Sequence, residues 1–164
     1  MPTHETPNKS SRGGAAPRLV VIHGDAGRTD AGTISWIKSA DSKVSYHYLV
    51  GRDGQVHQFV DENEKAWHAG ASEWPDCTVG SSVNPTSIGV AFANDGTGDE
   101  PFTSAQYEQG AKLVGGIIRR HRIPIDMVCG HFEVSPGRKE DPWDWFDWER
   151  FIKDVALQSH RRAA

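Results

Sequence analysis

Cysteine is scarce: the 164-residue chain has two, Cys77 and Cys129. They stand too far apart for a C-x-x-C pair and are too few for a disulfide framework or a four-cysteine zinc site, so free thiols are expected. Long apolar runs are missing as well. Stretches such as "LVVI" at 19–22 extend over only a few residues, whereas a helix that crosses a membrane needs about 20, so no membrane insertion is expected. Positive charge is not in excess either. The formal net charge is -4, which gives no electrostatic case for nucleic-acid binding. The polar opening "MPTHETPNKSSRGGAAPR" lacks the apolar centre of a secretory leader, and the reading is a protein made in the cytoplasm.

What is present is globular: 37% of residues are hydrophobic and 24% charged, a length and balance suited to one domain. A monomer is expected. Residues 1–17, polar and rich in Gly, Pro and Ser, read as a flexible tail. An ordered domain is expected over 18–158, with 159–164 a frayed C-terminal tail.

"RLVVIHG" is a short apolar run stopped by glycine, a buried strand. From Asp30 to about Ala40, Ile34 and Ile37 share a helical face with Asp30 as the cap. "SYHYLVGRDGQVHQFV" holds two strand-like runs around Arg52-Asp53-Gly54, a β-hairpin, and "SIGVAFA" is another buried strand. Thr103 and Gln106 are spaced as a capping box before Tyr107, Ala111, Val114 and Ile118, a long helix that Pro124 ends near Arg122. "DMVCGH" is a strand running into His131, and "DWERFIKDVAL" is a closing helix with Phe151, Ile152 and Val155 on one face. Strands interleaved with helices predict an α/β (α+β) domain, a central mixed β-sheet flanked by helices.

His23 and His131 share a context, each at the end of a strand and beside a glycine. Imidazoles at the ends of adjacent strands converge on one sheet edge, where a metal is one reading and ordinary hydrogen bonding of each ring the other. A catalytic zinc has three protein ligands and an open position. Asp141 is the candidate third ligand, because Pro136-Gly137 turns the chain back towards His131.

Taken in order, "VVIHG", "SYHYLVGRDGQVHQFV", "AWHAG", "NPTSIGVAF", "FTSAQYEQ" and "GHFEVSPGRKEDPW…FDW" resemble the type 2 zinc-dependent N-acetylmuramoyl-L-alanine amidases over residues 18–152. That class includes phage endolysins, cytosolic anhydro-muropeptide amidases and peptidoglycan recognition proteins. The resemblance implies one zinc ion per chain on His23, His131 and Asp141, with Lys139 stabilising the oxyanion and Tyr46 orienting the attacking water. It places Trp67 and His68 in a groove for the peptidoglycan or muropeptide substrate. It implies hydrolysis of the amide between N-acetylmuramic acid and L-alanine. In recycling members a glutamate base follows the aliphatic residue of the strand written here "SIGVAFA"; this chain has Ala91 there, which favours the endolysin branch and action on the wall after release. Recycling of anhydro-muropeptides in the cytosol is the rival reading, and a non-catalytic recognition module is the rival of another class.

Overall fold

Leu19 to Ile22 form the centre of the molecule, and their side chains alternate between two cores. The computed structural model describes residues 1–160. In chain order its elements are β1 (Lys9–Ser11), β2 (Leu19–Gly24), α1 (Asp30–Lys38), β3 (Tyr48–Val50), β4 (Val56–Gln58), β5 (Glu64–Ala66), β6 (Ser87–Phe92), α2 (Ser104–His121), β7 (Val128–Gly130), α3 (His131–Val134) and α4 (Trp148–Ser159).

Five strands make a mixed sheet in the order β4-β3-β6-β2-β7. β2 lies between β6 and β7, parallel to both, while β3 runs parallel to β6 and antiparallel to β4. Val20 and Ile22 face α2 and α4, where Tyr107, Val114, Phe151 and Val155 are buried. Leu19 and Val21 face the other side, packed with Cys77, Val83 and Val134. A strand's period of two therefore puts His23 on that second side, which carries α1 and the long loops instead of the paired helices.

The expected hairpin is β3–β4, and the capping box is formed, with Thr103 Oγ1 accepting from the Gln106 amide at 3.1 Å and Gln106 Oε1 from the Thr103 amide at 2.9 Å. α1 begins differently. Thr29 is its cap, accepting from the Gly32 amide at 3.1 Å, because the Asp30 carboxylate pairs with Arg52 at 2.6 Å. Both cysteines are buried and free. Among the described residues no helix is long and apolar enough to cross a membrane.

The flexible tail expected over 1–17 is corrected by the structure. β1 pairs antiparallel with β5, and Thr6, Asn8 and Arg12 are buried. Asn8 Nδ2 donates to the Ser39 carbonyl at 2.8 Å, beyond the end of α1. The Arg12 guanidinium donates to the carbonyls of Glu62 (2.9 Å), Pro85 (2.8 Å) and Ser87 (3.0 Å). This strap is held by polar side chains on backbone carbonyls, an attachment that leaves no apolar period in the sequence. His4 likewise meets His57 Nδ1 at 3.0 Å. At the other end, Ser159 is still helical, and residues 161–164 of the expected C-terminal tail lie outside the described residues.

Removing the Arg12 head would leave those buried carbonyls short of a donor. Arg12→Leu is expected to cost about 2–4 kcal/mol in urea unfolding; an unchanged midpoint is what a flexible tail would give. Acid should also destabilise the fold. His47 is buried, its Nδ1 accepting the Gly89 amide at 3.0 Å, and burial, with the Arg12 charge second, lowers its pKa from 6.5 to about 3. Below about pH 6.5 the unfolded chain takes up a proton that the folded state refuses, so this contribution is complete above that value and falls by up to about 1.4 kcal/mol per pH unit beneath it. Unfolding measured near pH 7.5 and near pH 5 should show that loss, and it should be shallower in His47→Asn; equal slopes in the two proteins would sink the assignment.

Candidate metal centre

His23 lies at the end of β2, and His131 follows directly on β7, its neighbour in the sheet. His131 is the first residue of the short α3 instead of the last of the strand. Two parallel strands ending at one edge bring the rings together, with Nδ1 facing Nδ1 at 3.0 Å. The loop after α3 returns Asp141 to the same point, Oδ2 lying 3.2 Å from His23 Nδ1 and Oδ1 3.1 Å from His131 Nδ1. The Phe132 amide, donating to the Asp141 carbonyl at 3.2 Å, closes that return.

These ligand atoms all lie within 4.8 Å of one another. Their protonation suits a cation. His131 Nε2 meets the Ala69 carbonyl at 3.1 Å; a carbonyl only accepts, so Nε2 carries the proton and Nδ1 keeps its lone pair. Burial, with neighbouring His131 second, lowers the His23 pKa to about 4 and keeps it neutral. Burial alone would raise Asp141, but neighbouring His131 and His23 outweigh it and hold the carboxyl well below its usual range. Two imidazoles and one carboxylate at a pocket form a donor set that fits a divalent cation with a position left for water or substrate.

The pocket is a cavity of about 520 Å³, and its walls include Tyr46, Lys139 and Asp25. Tyr46 is half-buried, its ring centroid 5.1 Å from that of His23; burial, then the Asp141 charge, pushes its phenol pKa up. Lys139 is exposed on the rim. Ala91 is the register partner of His23, so its methyl lies on the same face of the sheet, buried beside Leu49 and Ile37.

Of the "AWHAG" segment expected in the groove, His68 lines the pocket. Trp67 is absent from the pocket lining, and its Nε1 donates to Ser10 Oγ of β1 at 3.0 Å. His68 is 7% exposed and lies between His23 and Ser87, with Nδ1 2.9 Å from His23 Nε2 and Nε2 2.9 Å from Ser87 Oγ. Burial, followed by His23 and His47, lowers its pKa well below 6.5.

Three residues at the pocket escaped the sequence reading. Arg138 donates to the Ala69 carbonyl, to the Ala71 carbonyl at 2.8 Å and to Ser135 Oγ at 2.8 Å, tying two rim loops together. Asp25 accepts the Asn94 amide at 2.8 Å and the Thr33 hydroxyl, and burial raises its pKa. Trp143, at φ +70°, is shared with a second cavity of about 580 Å³ that Phe132, Trp145 and Trp148 also line. The Asp-x-Gly turn at 25–27 was a usable signal for Asp25; Arg138 and Trp143 had none.

Comparisons with known proteins agree with this geometry. The 1,6-anhydro-N-acetylmuramyl-L-alanine amidase AmpD of Haemophilus influenzae is 38% identical over 114 residues, 69% of this chain and 59% of that protein. The chain thus spans about three-fifths of the length of that relative. The solved complex of Escherichia coli AmiD with the substrate anhydro-N-acetylmuramic acid-L-Ala-D-gamma-Glu-L-Lys superposes with TM-score 0.73 at 31% identity, over 87% of this chain and 59% of that one. The catalytic domain of XlyA, at 23% identity and TM-score 0.71 over 94% of this chain and 99% of that one, shares the fold. The family model described as N-acetylmuramoyl-L-alanine amidase matches residues 13–144, and the chain belongs to that family.

Proposed function

We propose that this chain is a zinc amidase that hydrolyses the amide between N-acetylmuramic acid and L-alanine in muropeptides. The observation that carries the reading is the convergence of His23 with His131 and Asp141, which line one pocket together with Tyr46 and Lys139. Zinc bound by the three would polarise the carbonyl and make water a usable nucleophile near neutral pH. Lys139 supplies a cationic head for the oxygen that gains charge as the carbonyl is attacked. Tyr46, its pKa raised by burial, keeps its proton near neutrality and so acts as a hydrogen-bond donor that orients the reacting groups, not as a base.

The preferred substrate is a soluble anhydro-muropeptide. Support comes from the curated relative at 38% identity, named for that activity, and from the AmiD complex. The likeness to XlyA lies below the identity that carries function, so the lytic role read from sequence has no specific support there. Ala91 alone favours it, since the face beside His23 carries a methyl where the resemblance places a glutamate base in recycling members.

Mass spectrometry of products from an anhydro-muropeptide and from intact peptidoglycan, each with zinc and with a chelator, separates the readings. Metal-dependent release of stem peptides with a new N-terminal alanine, faster from the soluble substrate, is expected. Faster release from the intact wall would reinstate the lytic role, and uncleaved material despite bound zinc would favour a recognition module. His23→Ala, His131→Ala and Asp141→Ala should each lose both zinc and turnover. Lys139→Ala should retain zinc and lose about 10²–10³-fold in kcat, while Tyr46→Phe retains zinc with slower turnover.

A further inference from the structure

His68 has both ring nitrogens engaged, and the direction of its hydrogen bonds can be worked out from the far end. The Ser87 hydroxyl donates to the Val83 carbonyl at 2.8 Å. A hydroxyl has one proton. With that proton on Val83, Ser87 Oγ must accept from His68 Nε2, 2.9 Å away. A neutral imidazole carries one N–H, so His68 Nδ1 offers a lone pair and accepts from His23 Nε2 at 2.9 Å. His23 Nδ1 is then bare, and it is the atom that faces His131 and Asp141.

We propose that His68, backed by Ser87 and the Val83 carbonyl, is a positioning residue that makes His23 present its Nδ1 lone pair to the metal. The inference rests on the metal-site reading above, and it gives His68, which lines the same pocket, a role through His23. The reverse polarity shows what Val83 contributes. If the Ser87 hydroxyl turned to His68 Nε2, His68 would donate to His23 Nε2, and the His23 proton would sit on Nδ1, opposite the His131 lone pair. That arrangement closes the site to a cation. The Val83 carbonyl, which can only accept and also takes the Thr86 amide at 3.0 Å, holds the hydroxyl in the open polarity at 2.8 Å.

The slot for the ring is built into β6. A Cβ at Gly89 would come within 2.5 Å of His68 Cγ, so the glycine lets the imidazole lie against the strand between His23 and Ser87. Ligating histidines in general need their second nitrogen held, and loss of such a partner lowers metal affinity by roughly 10- to 100-fold. His131 meets this need with the Ala69 carbonyl. His23 has His68.

Nitrogen-15 NMR of the zinc-loaded protein and zinc competition titrations of His68→Leu and His68→Asn test this. In the wild type the proton is expected on Nε2 of both His23 and His68. His68→Leu should bind zinc roughly 10- to 100-fold more weakly. His68→Asn, whose carbonyl can accept the His23 N–H, should recover most of that loss. A proton on His68 Nδ1 in the zinc-loaded wild type overturns the proposal, and this readout stands even if His68→Leu fails to fold. Wild-type zinc affinity in His68→Leu, with or without a raised KM, overturns it too. A wild-type chain that takes up no zinc overturns the metal-site reading and this proposal together, whereas a His68→Leu variant with wild-type zinc affinity overturns this proposal alone.

Discussion

Side-chain parity along β2 is the constraint on which the rest depends. Val20 and Ile22 commit one face to the packed helices, and that commitment forces Leu19, Val21 and His23 to the other. A one-residue slip would bury His23 against α2 and α4 and expose the centre of the core. The parallel pairing of β2 with β7 then places His131 within 3.0 Å of it. Packing energy of the ordinary kind, about 1.5–3 kcal/mol for each buried aliphatic or aromatic side chain, thereby holds two imidazoles where mutual desolvation would otherwise disfavour them.

That second face is unusually polar for an interior, and its polar groups are satisfied in a connected set. Arg12 donates to the Ser87 carbonyl, the Ser87 hydroxyl meets His68, and His68 meets His23. The N-terminal strap therefore reaches to within two side chains of His23. Buried polar networks of this kind give rigidity when every member has a partner and are costly when one lacks it. The strap is part of the same buried network as His68 and His23.

The sequence was legible where periodicity speaks. β2, the hairpin, α2 with its capping box, and α4 all follow from apolar spacing and turn residues. Histidines at two strand ends pointed to one sheet edge, and the choice of Asp141 needed the returning loop together with the family resemblance. The strap was illegible because hydrogen bonds from Asn8 and Arg12 to distant carbonyls have no local pattern. The cap of α1 was misplaced by one residue because a distant cation, Arg52, engages Asp30. Of the two residues read as groove residues, His68 lines the pocket and Trp67 turns to Ser10, because adjacency in sequence cannot tell which side of a strand edge a loop side chain occupies.

Ala91 shows how one methyl alters the site's chemistry. As the register partner of His23 it lies on the same face of the sheet as that ring. With a methyl there, that flank stays apolar, and Tyr46 packs against the same cluster. Apolar surroundings disfavour charged forms, which fits the upward push on the Tyr46 phenol. The flank thus offers a neutral donor where a carboxylate would offer a base, and the charges that remain at the pocket are those of Asp141, Asp25 and the rim residues around Lys139.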